Sequence, residues 1–483
     1  MLRANLSRRE FLRRLVAGSA GIALASCQPQ VSKETVKETV EVQKVVRETV
    51  VVEKAAKKLP TLRLVTDWSS GARGEVIKQA RELWKEKYAG ERGEVFFELS
   101  PEGVEQRVLI ELASGDAPDV MLLGAESCLP LAKMGRLLEL TPYFEVDPTA
   151  KYDPVKQQWD DLLGTATFAG QNGKVYIIPF QFRLMNFWVW NETLFDESGV
   201  PHPDDYPNNP GGVWTWDDWF ETCRILTKDT DSDGTPDIWG FSPLSARYHF
   251  SGCLTLAWGN GGDELDLQKR VPGFDWPETM EAQNLIFDMV KKHKVAASPS
   301  VASQRATSLG MNIFYAGKVG TATSSFIALY GLKENVVDTG RFKAHYGPIP
   351  RSPHKPSEPG HVMKYDQPHC VSADSRYPDG AYFLASWMAS EEVQTLVMLS
   401  GQTPCRRSLC HDERFIDWDP ESKKWWLEME KDAKSMPLFP CYREWRENLA
   451  PFVEKAMMGE LTNEEFAAQA TDAGQRIIDA CDW

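Results

Sequence analysis

The chain is poor in the signatures of most catalytic classes. It has no HExxH, GxSxG or Walker-type run, so zinc-peptidase, serine-hydrolase and nucleotide-phosphate chemistry have no motif to rest on. No two of its nine cysteines are spaced Cys-x-x-Cys, which argues against zinc ribbons and thioredoxin-like chemistry. Positive charge is short as well. The formal net charge is −15, and the first 26 residues carry five arginines against one glutamate, so the rest is near −19. Such an acidic surface excludes nucleic acid as a partner and an electrostatic grip on anionic lipid. No run is long and apolar enough to cross a bilayer. Residues 28–59 contain no glycine and no aromatic residue, and they alternate Val, Lys, Glu and Thr. That composition cannot build a core, and its valines hold no sustained heptad, so it reads as a solvated tether.

What is present begins with an address. Arg8 and Arg9 precede Phe11-Leu12, the twin-arginine export pattern, and a mildly apolar run from Leu15 to Ala25 follows. It ends in Leu24-Ala25-Ser26-Cys27, which looks like a bacterial lipobox. Residues 1–26 are therefore expected to be a lipoprotein signal. Cys27 is the expected lipidation site, with 27–59 tethering the protein to the outer face of the cytoplasmic membrane. Eight cysteines remain (Cys128, Cys223, Cys253, Cys370, Cys405, Cys410, Cys441 and Cys481), enough for up to four disulfides in an exported protein or for a set of buried thiols. Sequence alone does not choose the pairing.

The ordered region, about 424 residues, is too long for one compact core, so two lobes are expected. Leu62–Thr66, Glu94–Leu99 and Asp119–Leu123 read as strands. Helices are expected over Gly71–Tyr88 and Gly103–Ala113, and after the third strand and its Gly124–Ser127 loop to about Met134. This alternation is a doubly wound α/β pattern, in which ligands sit beyond the carboxyl ends of the strands. Phe182 to Trp190 reads as a long aromatic-rich extended run. Thr215 is the expected N-cap of a helix ending near Leu226. A further helix is expected over Trp276–His293, and mostly helix beyond Arg376.

Several segments, in order, resemble the family-one extracellular solute-binding proteins of ABC importers, which include the maltodextrin binders. They are Ala117-Pro118-Asp119-Val120 with Leu131 to Leu138, Gly173-Lys174-Val175-Tyr176, Trp190 to Phe195, Thr215-Trp216-Asp217-Asp218, Gly261-Gly262, Phe314 to Val319, Gly401 to Arg406, and Gly459 to Glu465. The resemblance implies a two-lobe, type II periplasmic-binding-protein-like α/β fold with a hinge. It implies one lobe of 60–181 plus 361–413 and another of 182–360 plus 414–483. It also implies a monomer that captures a carbohydrate, has no catalytic residues and docks on ABC permease subunits.

A sugar ring has an apolar face for aromatics and a hydroxyl rim for carboxylates, amides and arginines. On loop placement the candidate contacts are Trp68, Tyr248 and Trp258, with Gln181 and Arg183 at the first crossover. By the resemblance they also include Glu126, where the maltodextrin binders carry an acidic contact. Phe326 aligns with a stacking tryptophan, and Trp445 sits where the C-terminal segment returns to the cleft. Asp229, Asp231, Asp233 and Asp237 are spaced like the front of a calcium loop, but Gly240 stands where the bidentate glutamate belongs. A structural calcium is the expectation there, and no other cofactor is required. An exported glycoside hydrolase remains an alternative, because its two carboxylates leave no sequence signature. So does the same fold with a polyamine, phosphate ester or metal chelate.

Overall fold

A computed structural model describes residues 59–482, apart from 101–103, 147–151, 154–157, 165–172, 246, 249–250, 304–311 and 326–330. The export signal, Cys27, the tether and Phe326 lie outside the described residues. Among those described, nine strands form one mixed sheet. They are β1 (Thr61–Thr66), β2 (Glu94–Leu99), β3 (Val120–Leu122), β4 (Ile177–Asn191), β5 (Trp239–Ser242), β6 (Val319–Ser325), β7 (Ala344–Gly347), β8 (Met363–Val371) and β9 (Lys434–Ser435). The order is β2-β1-β3-β8-β4-β6-β5, with β7 on β4 and β9 on β8. β1 runs parallel to both β2 and β3, whereas β8 is antiparallel to β3 and to β4.

β4 explains how one sheet serves two lobes. All fifteen of its residues are buried, so it lacks the in–out alternation of a half-exposed strand. Its first half pairs with β8, from Cys370↔Ile177 to Met363↔Met185. Its second half pairs with β6 and β7. The exchange falls at Asn186, which has φ 62°. Only glycine and short polar residues such as asparagine enter that left-handed region readily. The ladder slips beside it, between Ser324 and Ser325, so Asn186 is the extra residue of a bulge.

The helices cover this sheet. In the first lobe are α1 (Gly71–Lys87), α2 (Val104–Ser114) and α3 (Ala125–Lys133). α1 buries Val76, Ile77, Ala80 and Trp84, one stripe at helical spacing. In the second lobe, α4 (Trp216–Leu226) starts at Thr215 with a full capping box: Thr215 accepts from the Asp218 amide and Asp218 from the Thr215 amide. α5 (Cys253–Asn260) and α6 (Pro277–Lys291) follow, then α7 (Tyr442–Met458) and α8 (Asn463–Ala480) near the C-terminus. Phe274, stacked on Trp445 and met edge-on by Phe466, packs between α6, α7 and α8 and centres that core.

One ionic cluster fixes β7. The His345 Nε2 lies 2.5 Å from Glu192, and its Nδ1 lies 3.1 Å from Asp419. Burial alone would lower this imidazole, but Asp419 and then Glu192 outweigh it and hold it up to about 9. An unfolded histidine titrates near ~6.5. The cluster's contribution is therefore complete below about pH 6.5 and is lost as pH rises through about 9. Urea unfolding should show stability falling by roughly 1–2 kcal/mol over that window, after allowance for partial exposure. His345→Gln should remove the slope; an unchanged slope would show that another group sets it.

Candidate functional site

The parallel strands β1, β2 and β3 end side by side, and the residues just past them make one wall of a cavity of about 290 Å³. Asp67 follows β1, Ser100 follows β2, and Leu123 and Gly124 follow β3. Glu105 on α2 and Gln367 on β8 complete this wall, and Arg443 comes from α7 of the other lobe. At Gly124 the Glu126 and Tyr365 side-chain ends crowd the backbone. A Cβ there would lie 2.8 Å from Glu126 Oε2 and closer still to the Tyr365 hydroxyl.

Beneath the cavity lies a buried polar network. Gln367 donates to Asp67 Oδ1 at 2.9 Å and accepts from Trp68 Nε1 at 3.4 Å and from Arg183. Arg183 also donates to Gln181 Oε1 at 2.8 Å. The Gln181 amide donates to Gln402 at 3.0 Å, and Gln402 accepts from Arg73 at 3.2 Å. Burial, then the neighbouring Arg183 charge, pulls Arg73 down to about 9 against the attraction of Asp67. Arg183 is lowered mainly by burial. Side-chain amides thus hold two guanidinium groups in fixed positions at the foot of the cleft.

The two lobes meet across the cleft through ion pairs. Arg446 reaches Glu126 Oε1 at 3.3 Å, with both side chains under a tenth exposed. Arg443 pairs with Glu105, which also accepts from Ser127 Oγ at 2.9 Å. Glu126 Oε2 finds no hydrogen-bond partner among the described residues, although it is buried. A group in that state costs about 1–3 kcal/mol, more if charged.

The candidate residues therefore divide. Trp68, Glu126, Gln181 and Arg183 come together at the strand ends. Trp68 is fully buried against Phe180, with ring centroids 4.9 Å apart, so its ring is a floor under Gln367 and not an open platform. Tyr248 and Trp445 lie together in the second lobe's core. Tyr248 packs edge-on to Phe274 at 4.9 Å, and Trp445 stacks on the same ring at 5.5 Å. Trp258 is 3% exposed, with the Lys434 ammonium 5.6 Å from its ring. Arg443, Arg446, Glu105, Asp67 and Gln367 were not singled out from sequence. The two arginines carry a signal, since they flank the buried stripe Tyr442, Trp445, Leu449 and Val453 on α7.

At the Asp-rich loop, carboxylate oxygens of Asp229, Asp231 and Asp237 all lie within 4.8 Å of one another, and Asp233 stands outside the group. The loop is already hydrogen-bonded as a turn. Asp229 accepts from the Ser232 and Gly234 amides, and Asp237 from the Thr230 amide. Among the described residues no helix is long and apolar enough to cross a membrane.

A mixed sheet shared by two helix-covered lobes, with a polar cavity at the strand ends, defines the type II periplasmic binding fold. The chain belongs to the bacterial extracellular solute-binding protein family, which it matches over residues 75–395. Solved structures share the fold. An ABC substrate-binding protein of Listeria monocytogenes, in complex with cycloalternan, has TM-score 0.68 at 20% identity, covering 87% of this chain and 98% of its own. A maltose/maltodextrin-binding domain of Bdellovibrio bacteriovorus, bound to maltotriose, has TM-score 0.66 at 15% identity, covering 87% and 100%. A diacetylchitobiose-binding protein of Streptomyces coelicolor is 24% identical over 244 residues, and the chain spans about half the length of this relative.

Proposed function

We propose that the protein is the substrate-binding component of an ABC importer and captures a mono- or oligosaccharide between its lobes for the membrane permease. It carries no reaction itself, and it works as a monomer. The observation that supports this most is the cavity at the strand ends, where carboxylates, an amide and an arginine from both lobes surround a small space. Those groups suit the hydroxyl rim of a sugar, and the volume is at the small end for a ligand site. Sugars bound by the relatives from Listeria, Bdellovibrio and Streptomyces point the same way. We set the lobes at 60–181 plus 361–413 and 182–360 plus 414–483, joined near the Asn186 bulge.

Calorimetry against a sugar panel tests this reading. Asp67→Ala should weaken the best ligand by roughly 10–100-fold, the worth of one or two hydrogen bonds to a charged group. Unchanged affinity would remove the strand-end cavity as the site. Appearance of cleaved sugar in the same mixtures would replace the receptor with a hydrolase.

Export by the twin-arginine route and retention through Cys27 belong to the same proposal. Cys27→Ala should shift the protein from the membrane to the soluble fraction on cell fractionation. Continued membrane association would exclude the lipid as its anchor.

A further inference from the structure

Cys128 and Cys370 lie 242 residues apart in sequence and meet in the core beside the cleft. Cys128 lies on α3, two residues beyond Glu126, and Cys370 lies on β8, three residues beyond Gln367. Both are fully buried, and their sulfurs are 3.0 Å apart. A disulfide needs about 2.05 Å, so closing the bond requires a shift of roughly 1 Å with no change of backbone topology. The other unpaired cysteines among the described residues, Cys223, Cys253, Cys405 and Cys410, are also buried, and none has another sulfur within hydrogen-bond distance.

We propose that Cys128 and Cys370 form a second disulfide in the exported protein, fastening the helix that carries Glu126 to the strand that carries Gln367. Three observations support it. The family is extracellular, where disulfides persist. The same chain already pairs Cys441 with Cys481. The two sulfurs face one another at the contact of α3 with β8, where a covalent link would hold both sides of the cavity wall.

The chemistry balances with a small-molecule disulfide such as oxidised glutathione. One cysteine thiolate attacks it, a mixed disulfide forms, and one glutathione thiolate leaves. The second cysteine thiolate then displaces the other glutathione. Two protein thiols lose two electrons and two protons, and the oxidant leaves as two thiols. Burial raises the Cys128 thiol well above its ordinary pKa and opposes the thiolate. Formation is therefore slow once the pair is buried, and the buried bond resists reduction.

The test uses the full chain exported by its host, denatured without reductant, alkylated and digested. A Cys128–Cys370 cross-linked peptide is the expected product. A second measurement isolates the pair: in a Cys441→Ser/Cys481→Ser background, dithiothreitol present during refolding should lower the thermal midpoint by several degrees. Adding Cys128→Ser and Cys370→Ser should abolish that difference. Recovery of both cysteines as alkylated single thiols, even after refolding with oxidised glutathione, would overturn the proposal. So would either cysteine cross-linked to a different partner.

Discussion

Replacing Arg446 by alanine is expected to destabilise the arrangement in which the lobes touch through this pair, here called closed, by roughly 3–5 kcal/mol, because it leaves the Glu126 carboxylate buried without its partner. Arg446 and Glu126 are among the least exposed charges in the molecule, at 9% and 6%. Burial opposes the Arg446 charge, and Glu126, Tyr442 and Tyr365 more than restore it. The loss is specific to the closed form. If the lobes part, Glu126 regains water and the penalty disappears. Arg446→Ala should therefore show a larger radius of gyration by small-angle scattering and weaker ligand retention, with the fold of each lobe intact. Joint replacement by Glu126→Met and Arg446→Met should recover most of the loss, since two apolar side chains leave no buried charge. Scattering profiles identical to the parent for Arg446→Ala would show that this pair does not hold the lobes together.

The same pair shows where sequence reading reached and where it stopped. The alternation from Leu62 to Met134 is local, so three strands and three helices were legible from period and turn residues. Glu126 was named because it lies past the third strand, where the resembling maltodextrin binders carry an acidic contact. Its partner was missed by one residue. Trp445 was chosen because the resemblance returns the C-terminal segment to the cleft there, yet the spacing Tyr442, Trp445, Leu449, Val453 marks the buried stripe of α7 and leaves Arg443 and Arg446 on its flank. The network joining Arg183, which was singled out as a crossover residue, to Asp67, Gln367 and Gln402 had no local signal. Its members are separated by up to 335 residues and meet only because β8 threads between β3 and β4. The Asn186 bulge was equally hidden. Nothing in Leu184-Met185-Asn186-Phe187 distinguishes a left-handed residue inside a strand from an ordinary buried asparagine.

Cysteine pairing was the other feature that sequence left open, and its consequence for the site can be measured. Cys441 is the N-cap of α7, and Cys481 is the C-cap of α8, so their bond joins the first turn of one helix to the end of its packed neighbour. The loop it closes has a sequence separation of 40, for which the chain-entropy relation gives about 4 kcal/mol. Cys441→Ser with Cys481→Ser should therefore lower the thermal midpoint by roughly 5–10 °C. The effect should not stop at stability. Arg443 and Arg446 occupy the first turns after Cys441, so fraying there loosens both ion pairs across the cleft. Amide exchange should rise first in residues 442–450, ahead of the sheet, and ligand affinity should fall in parallel. A variant that melts like the parent and exchanges no faster in α7 would mean that packing of Phe274, Trp445 and Phe466 already holds the helix, leaving the disulfide redundant there.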